Sequence, residues 1–71
     1  MITLAQRIEE LRTQRGMSRP GLSAALGLPK NAIEKFETGR QTPNQKQQEK
    51  LAAYFGVSIF YLRGESDDRT R

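Results

Sequence analysis

Residues 25–40 read ALGLPKNAIEKFETGR, and this stretch decides the fold. Gly27 follows an amphipathic segment and is typical of a helix end, because glycine enters the left-handed conformation without a steric penalty. Leu28 precedes a proline, which favours an extended backbone, and Pro29 has the fixed φ that suits the first residue of a helix. The stretch therefore predicts two helices joined by a tight turn, the second leaving the first at a steep angle.

Start and stop signals divide the rest of the chain into helices. Most glycines follow an amphipathic stretch, and no alternating strand pattern is present. Thr3 with Gln6, and Asn44 with Gln47, have the spacing of capping boxes. These signals predict an all-α, compact five-helix bundle with a helix-turn-helix at helices 2 and 3. The predicted helices cover residues 4–15, 19–26, 30–38, 45–55 and 59–63.

Helical spacing predicts which side chains form the core. Apolar residues recur at intervals of three and four within the predicted helices, which places them on one face of each helix. Short linkers require successive helices to pack at steep angles around one centre. The predicted core residues are Leu4, Ile8, Leu11, Leu22, Ala25, Leu26, Leu28, Ile33, Phe36, Leu51, Ala52, Phe55, Val57, Ile59 and Leu62.

The composition excludes several classes of function. A chain of 71 residues makes one small domain, and it contains neither cysteine nor histidine. Disulfides, zinc fingers, histidine general bases and most transition-metal sites are therefore excluded, and we expect no metal and no cofactor. No apolar run is long enough to span a bilayer, and no signal pattern precedes the first helix. We expect a cytoplasmic protein without a membrane partner.

The charge is concentrated in two intervals. The net charge is +4, and no acidic residue lies between Glu10 and Glu34 or within residues 38–48. A basic face suggests an anionic partner, either nucleic acid or a membrane surface, although ordinary solvated charge explains the pattern equally well. The basic residues of these intervals are Arg12, Arg15, Arg19, Lys30, Arg40 and Lys46.

The third helix is predicted to be short and exposed. It buries only Ile33 and Phe36, and it presents Lys30, Asn31 and Lys35 on its outer side. A rigidly mounted helix of this kind suits the major groove of DNA, which is about 12 Å wide.

Residues 15–40, RGMSRPGLSAALGLPKNAIEKFETGR, resemble the helix-turn-helix family of phage repressors and Cro, also called the XRE family. The resemblance continues through LAAYFGVSIFYLRGE, residues 51–65, and covers the chain from about Thr3 to Gly64. It implies the fold of a phage-repressor DNA-binding domain. The matching positions are Leu22, Ser23, Leu26, Gly27, Leu28, Ile33, Phe36, Glu37, Gly39 and Pro43.

The resemblance implies that helix 3 docks in the major groove of double-stranded DNA. Asn31 would then pair with adenine, and Lys30 and Lys35 would donate to guanine. Ala32 could touch a thymine methyl group, whereas Glu34 would either accept from cytosine or face solvent. Two interpretations of Lys30 and Asn31 stay open. Either they contact bases, or they are solvated residues at the start of a helix.

The same resemblance implies contacts to DNA phosphates that carry no sequence information. We expect them from Arg19 at the start of helix 2 and from Arg40 after helix 3. Asn44 and Gln45 would offer the free N–H groups and positive dipole end of helix 4.

Two further pairs have roles of their own. Many family members pair an arginine late in helix 1 with a glutamate at the end of helix 3, which implies an ion pair between Arg12 and Glu37. Helical spacing directs Phe60 outward, and Phe60 and Tyr61 together suggest a dimer interface. The alternative is that Phe60 is a core aromatic residue on a short irregular helix.

We therefore expect a helix-turn-helix domain over residues 1–64 and a disordered tail, or the start of a linker, over residues 65–71. The leading hypothesis is a sequence-specific DNA-binding repressor that binds a palindromic operator as a homodimer. The alternative is an antitoxin or adaptor module whose main ligand is a protein. An enzyme is disfavoured, because no carboxylate pair or other catalytic group is recognisable. Membrane-surface binding lacks a wide apolar face beside the basic one.

Overall fold

The computed structural model describes residues 2–69, and Met1, Thr70 and Arg71 lie outside the described residues. Five helices occur in the predicted order and close to the predicted bounds, and residues 2–69 contain no strand. No helix in this range combines the length and the apolar character needed to cross a membrane. The helices are α1 (Leu4–Gln14), α2 (Arg19–Ala25), α3 (Ala32–Thr38), α4 (Gln45–Phe55) and α5 (Ile59–Leu62).

The two predicted capping boxes are both formed. Thr3 Oγ1 accepts from Gln6 N at 3.2 Å, and Thr3 N donates to Gln6 Oε1 at 2.9 Å. At α4, Asn44 Oδ1 accepts from Gln47 N at 2.8 Å and Asn44 N donates to Gln47 Oε1 at 2.9 Å. Each box gives two backbone N–H groups at the start of a helix a side-chain acceptor within one turn. Helices α1 and α4 therefore begin where the local sequence predicts.

Helix α3 begins two residues later than the sequence predicts. Ala32 N donates to the Pro29 carbonyl at 3.0 Å, which closes a turn before the helix starts. Asn31 is the residue preceding the helix, with φ −97° and ψ 9°, and its side chain makes no capping hydrogen bond. Lys30 and Asn31 therefore precede α3 and are not part of its first turn.

Helix α1 contacts both α3 and α5, while α2 packs on α3 and α4 packs on α5. Most of the predicted core is buried, including Ile8 and Phe36. The prediction is wrong for Ala25, which is exposed because the buried side of α2 is formed by Leu22, Ser23 and Leu26, and Ala25 lies beside it. Ile59 is half-buried, and Ala32 and Tyr61 join the core in addition to the predicted residues.

Residues 65–69 contact the body of the domain, and the disordered tail or linker over residues 65–71 stays a prediction. Ser58 N donates to the Arg69 carbonyl at 3.2 Å, and the Asp67 carboxylate lies 4.0 Å from the Arg7 guanidinium. The last two residues of the predicted tail lie outside the described range. A domain boundary at Gly64 stays a prediction.

Candidate nucleic-acid interface

The turn between α2 and α3 is closed by backbone hydrogen bonds. Gly27 has φ +68°, a left-handed conformation that side-chain-bearing residues rarely adopt. Its N–H donates to the Ala24 carbonyl at 3.1 Å, and Leu28 N donates to the Ser23 carbonyl at 2.8 Å. Leu28 is half-buried against the core. These contacts reverse the chain over a few residues and set the angle at which α3 leaves α2.

Ser23 fastens the amino end of α3 to α2. Its hydroxyl is fully buried and accepts a hydrogen bond from Ile33 N at 3.2 Å. The first N–H groups of a helix have no partner within the helix, so a side chain from another helix here replaces a local cap. In the family resemblance, Ser23 matched only as a small residue. A hydroxyl beside core leucines nevertheless implies a hydrogen-bond partner, because buried polar groups are hydrogen-bonded.

The carboxyl end of α3 is fastened by three side chains, here named the Glu37 cluster: Arg12, Arg19 and Glu37. Arg12 Nε and Nη2 donate to the two carboxylate oxygens of Glu37 at 2.7 and 3.1 Å. Arg19 Nε donates to Oε1 of the same carboxylate at 2.9 Å. The Glu37 side chain is only 1% exposed. The ion pair that the resemblance implies between Arg12 and Glu37 is thus present, with a second arginine added to it.

The Glu37 cluster connects three helices and a loop. Arg12 comes from α1, Arg19 from α2 and Glu37 from α3, and Arg12 Nη1 also donates to the Met17 carbonyl at 2.7 Å. The hydrogen bonds that Arg12 donates to Glu37 raise the pKa of Arg12 above its ordinary value. A carboxylate held by two guanidinium groups has its charge fully compensated, so α3 is held against α1 and α2 in one orientation.

Exposed polar side chains lie on α3 and on the two residues that precede it. Lys30, Asn31 and Lys35 are all exposed. Asn31 and Lys35 lie one helical turn apart, and Lys35 N donates to the Asn31 carbonyl at 3.1 Å. We call these three residues the Asn31 face. On the same helix Ile33 and Phe36 are buried, so the exposed residues of this region are not part of the core.

Two other predicted base-contacting residues have different surroundings. Ala32 is buried in the core cluster, so its methyl group is not available to a thymine methyl, and that prediction is wrong. Glu34 is partly exposed, and its carboxylate accepts from Arg40 Nη1 at 3.3 Å. An exposed ion pair of this kind is weak and salt-sensitive.

The predicted phosphate-contacting residues are distributed around α3. Arg40 follows α3 and is exposed, whereas Arg19 belongs to the Glu37 cluster with 38% of its side chain exposed. Asn44 does not offer a free N–H, because its capping box with Gln47 uses that group. Gln45, the first residue of α4, is exposed. The capping box uses the N–H groups of both Asn44 and Gln47, so the amino end of α4 presents those of Gln45 and Lys46 instead.

The two aromatic residues predicted for a dimer interface lie on different sides of α5. Phe60 is 58% exposed, which excludes the alternative of a core aromatic residue. Tyr61 is buried, and the Arg7 guanidinium lies 3.8 Å above its ring. Tyr61 is therefore not available as the dimer-interface residue that the sequence suggests, because the Arg7 guanidinium covers its ring.

Within residues 2–69, no group of three or more histidine, cysteine, aspartate and glutamate residues could hold a metal ion.

Comparison with sequence families gives one finding that covers most of the chain. The model of the helix-turn-helix family matches residues 8–62, a range that includes all of α2 and α3 and ends with α5.

Two similar proteins are regulators of phage origin. The cryptic phage CTXphi transcriptional repressor RstR of Vibrio cholerae is 32% identical over 63 residues, which are 89% of this chain and 57% of the repressor. The SPbeta prophage-derived uncharacterised helix-turn-helix-type transcriptional regulator YonR of Bacillus subtilis (strain 168) is 33% identical over 60 residues, 83% of this chain and 56% of the regulator. The chain therefore spans little more than half the length of these relatives.

A solved structure has a similar fold. The hypothetical transcription factor NHTF from Neisseria superposes with a TM-score of 0.79 at 28% sequence identity, covering 84% of this chain and 69% of the other. The likeness agrees with the all-helical arrangement of α1 to α5.

Proposed function

The chain belongs to the helix-turn-helix family, and from this premise we propose that it is a sequence-specific regulator of transcription that binds double-stranded DNA. The observation that carries the proposal is the Asn31 face, which is exposed on a helix whose opposite side is fixed by Ser23 and the Glu37 cluster. A regulator of this family has DNA as its ligand and performs no catalysis.

Base recognition is assigned to the Asn31 face, with α3 lying in the major groove. The Asn31 amide can form two hydrogen bonds with adenine, and its side chain is free of the helix cap. Lys30 and Lys35 can donate to guanine O6 and N7. Glu34 accepts from Arg40, so its contact with cytosine would require that ion pair to open.

Phosphate contacts are assigned to the periphery of α3. Arg40 projects from the loop after α3, and Arg19 retains N–H groups beyond the Nε that Glu37 uses. The first turn of α4, at Gln45, adds the positive end of an 11-residue helix. The net charge of +4 favours such contacts at low ionic strength.

We further propose that the protein is a cytoplasmic repressor that acts as a homodimer on a palindromic operator. The name of the Vibrio cholerae relative supports repression. Two-fold symmetry would place two copies of α3 one turn of DNA apart, roughly 34 Å. Exposed Phe60 supports association with another protein surface.

The test compares Asn31, which is proposed to contact a base, with Arg40, which is proposed to contact a phosphate. The two DNA ligands are a site selected from a random duplex pool and the random duplex itself. Asn31→Ala should cost about 1–3 kcal/mol on the selected site and much less on random duplex, which relaxes specificity at one base pair. Arg40→Ala should weaken both duplexes alike and reduce the slope of log K against log salt by about one. Both are measured by fluorescence anisotropy over a series of salt concentrations.

An unchanged ratio of selected to random affinity in Asn31→Ala would refute the base-reading role. If the wild-type protein binds no random duplex even at low salt, the adaptor hypothesis is favoured, in which the main ligand is a partner protein. Exposed Phe60 is the observation that keeps this second hypothesis open.

A further inference from the structure

Gln48 is a polar residue on the core side of α4. It precedes the buried residues Leu51 and Phe55 by three and seven positions, so helical spacing places it on the same face. Its side chain is half-buried, and a polar group in such a position requires hydrogen-bond partners. Both ends of its amide have one. Arg63 Nε donates to Gln48 Oε1 at 2.7 Å, and Gln48 Nε2 donates to the Pro43 carbonyl at 2.9 Å.

The chemistry of the two neighbours fixes the orientation of the Gln48 amide. A guanidinium N–H can only donate, so it requires the amide oxygen, and a backbone carbonyl can only accept, so it requires the amide nitrogen. A glutamate at this position could not donate to Pro43, and an apolar residue could do neither. Arg63, Gln48 and Pro43 thus form a continuous series of hydrogen bonds, here named the Gln48 relay. It runs from the end of α5 through α4 to the loop before α4.

The loop that the Gln48 relay holds joins two parts of the domain. It covers residues 39–44, between α3, which packs on α1 and α2, and α4, which packs on α5. On the α3 side, Gln41 N donates to the Lys35 carbonyl at 3.2 Å. On the α4 side, the relay holds the carbonyl of Pro43, which is buried. Arg40, to which a phosphate contact is assigned above, lies on this loop.

We propose that the Gln48 relay positions Arg40 for contact with a DNA phosphate, by holding the loop at the Pro43 carbonyl. The inference deepens the proposed function, because it rests on the phosphate contact assigned there to Arg40. The ion pair of Arg40 with Glu34 is exposed at 3.3 Å, and pairs of this kind hold a side chain only weakly. A donor that is held in place before binding loses less conformational freedom on binding. Gln48 and Arg63 are therefore positioning residues.

The Gln48 amide carries no charge, which gives the proposal a signature in the salt dependence of DNA binding. Each phosphate contact adds about 0.9 to the slope of log K against log salt. A neutral substitution that only lowers the stability of the fold leaves the number of phosphate contacts, and hence the slope, unchanged. A neutral substitution that displaces Arg40 from a phosphate reduces the slope, although the charge of the protein is the same.

The experiment measures the binding of Gln48→Met to the random duplex by fluorescence anisotropy over about 0.05–0.5 M salt. Methionine is an unbranched, adaptable side chain, so it fills the space and removes both hydrogen bonds. We expect the affinity at about 0.1 M salt to fall about threefold to tenfold and the slope to fall by up to about one. Gln14→Met makes the same chemical change at an exposed position of α1 and should alter neither. The titrations are run where urea unfolding shows each variant to be folded.

A double-mutant cycle connects the effect to Arg40. In an Arg40→Ala background, Gln48→Met should lower the affinity by less than about twofold and leave the slope unchanged, because the phosphate contact is already absent. Losses that multiply would show that Gln48 acts on another part of the interface, and they would contradict the proposal.

The DNA-free protein gives a second measurement, which does not depend on binding. The backbone amide order parameters of Arg40 and Gln41 report loop motion on the ps–ns timescale, and they should fall from about 0.85 to below about 0.6 in Gln48→Met. Gln48→Glu keeps an acceptor for Arg63 and removes the donor to Pro43, so it should loosen the loop as well. This second variant tests the Pro43 hydrogen bond even if methionine is poorly accommodated.

The proposal is overturned if Gln48→Met keeps the wild-type salt slope, if its effect is undiminished in the Arg40→Ala background, or if the loop stays ordered in both Gln48 variants. A wild-type protein that binds no duplex even at low salt removes the proposed DNA binding, and the role of the relay with it. A wild-type protein that binds duplex DNA, while Gln48→Met behaves like Gln14→Met, removes the relay alone and keeps the DNA-binding proposal.

Discussion

Glu34 and Glu37 lie three residues apart on α3, yet their surroundings differ completely. The Glu37 carboxylate is 1% exposed and accepts three N–H donors from two arginines, whereas the Glu34 carboxylate is 40% exposed and accepts one at 3.3 Å. The first faces α1 and α2, and the second faces solvent. One side of a seven-residue helix therefore holds the scaffold together, while the other remains available for a ligand.

The residues that stabilise the fold and the residues proposed to bind DNA lie on different sides of α3. Anchoring comes from buried polar contacts at both ends, Ser23 at the amino end and the Glu37 cluster at the carboxyl end. The Asn31 face contributes nothing to that anchoring. Changes on the buried side should thus alter folding, and changes on the exposed side should alter binding alone.

The largest effect is expected from Glu37→Gln. Removing the carboxylate leaves two guanidinium groups close together in a mostly buried site, which should lower the free energy of unfolding by about 3–5 kcal/mol. Small domains have little stability to lose, so the urea midpoint should fall sharply. A loss within about 1 kcal/mol, measured by urea unfolding, would show that the Glu37 cluster does not fasten α3.

Ser23→Ala should have the next largest effect. It leaves the buried Ile33 N–H without its acceptor, at a cost of about 1–3 kcal/mol. Thr13→Ala is the matched control, since it also removes a hydroxyl, but an exposed one that bonds within its own helix. Equal urea midpoints for the two variants would contradict the role assigned to Ser23.

Arg19→Ala should lower stability by less, about 1 kcal/mol or below, since Arg12 keeps its two hydrogen bonds to Glu37 and the Arg19 side chain is 38% exposed. Its removal should also weaken binding to every duplex alike, with a smaller salt slope. Thermal unfolding and anisotropy titrations separate the two effects. A change in stability as large as that of Glu37→Gln would make Arg19 the principal partner instead of Arg12.

Glu34→Gln should have the smallest effect, within about 0.5 kcal/mol, because its ion pair with Arg40 is solvent-exposed. It serves as the control for Glu37→Gln, with the same chemical change on the same helix. A loss above about 1 kcal/mol in urea unfolding would mean that the exposed pair supports α3 after all.

Local signals in the sequence were sufficient to predict most of the fold. Thr3, Gln6, Asn44 and Gln47 form their capping boxes as predicted, because both partners lie within one helical turn. The turn at Gly27 was predicted for the same reason. The start of α3 was displaced by two residues, since the turn at Pro29 competes with helix formation over a short range.

The site was predicted less completely, because its contacts join distant parts of the chain. The Arg12–Glu37 pair was anticipated through a family resemblance, whereas the contact of Arg19 with Glu37 was not. Burial of Tyr61 under Arg7 also joins residues far apart in sequence. Helical spacing assigns a residue to a face of its helix, but it does not determine which helix covers that face.

Five helices, the two capping boxes and the turn before α3 follow from local sequence, since they depend on backbone preferences and on neighbours three or four residues away. Packing of separate helices is needed to bury Glu37 between two arginines, to place Ser23 at the start of α3 and to leave Ala25 exposed. The physical reason is that desolvation and long-range hydrogen bonding arise only when separate helices pack together.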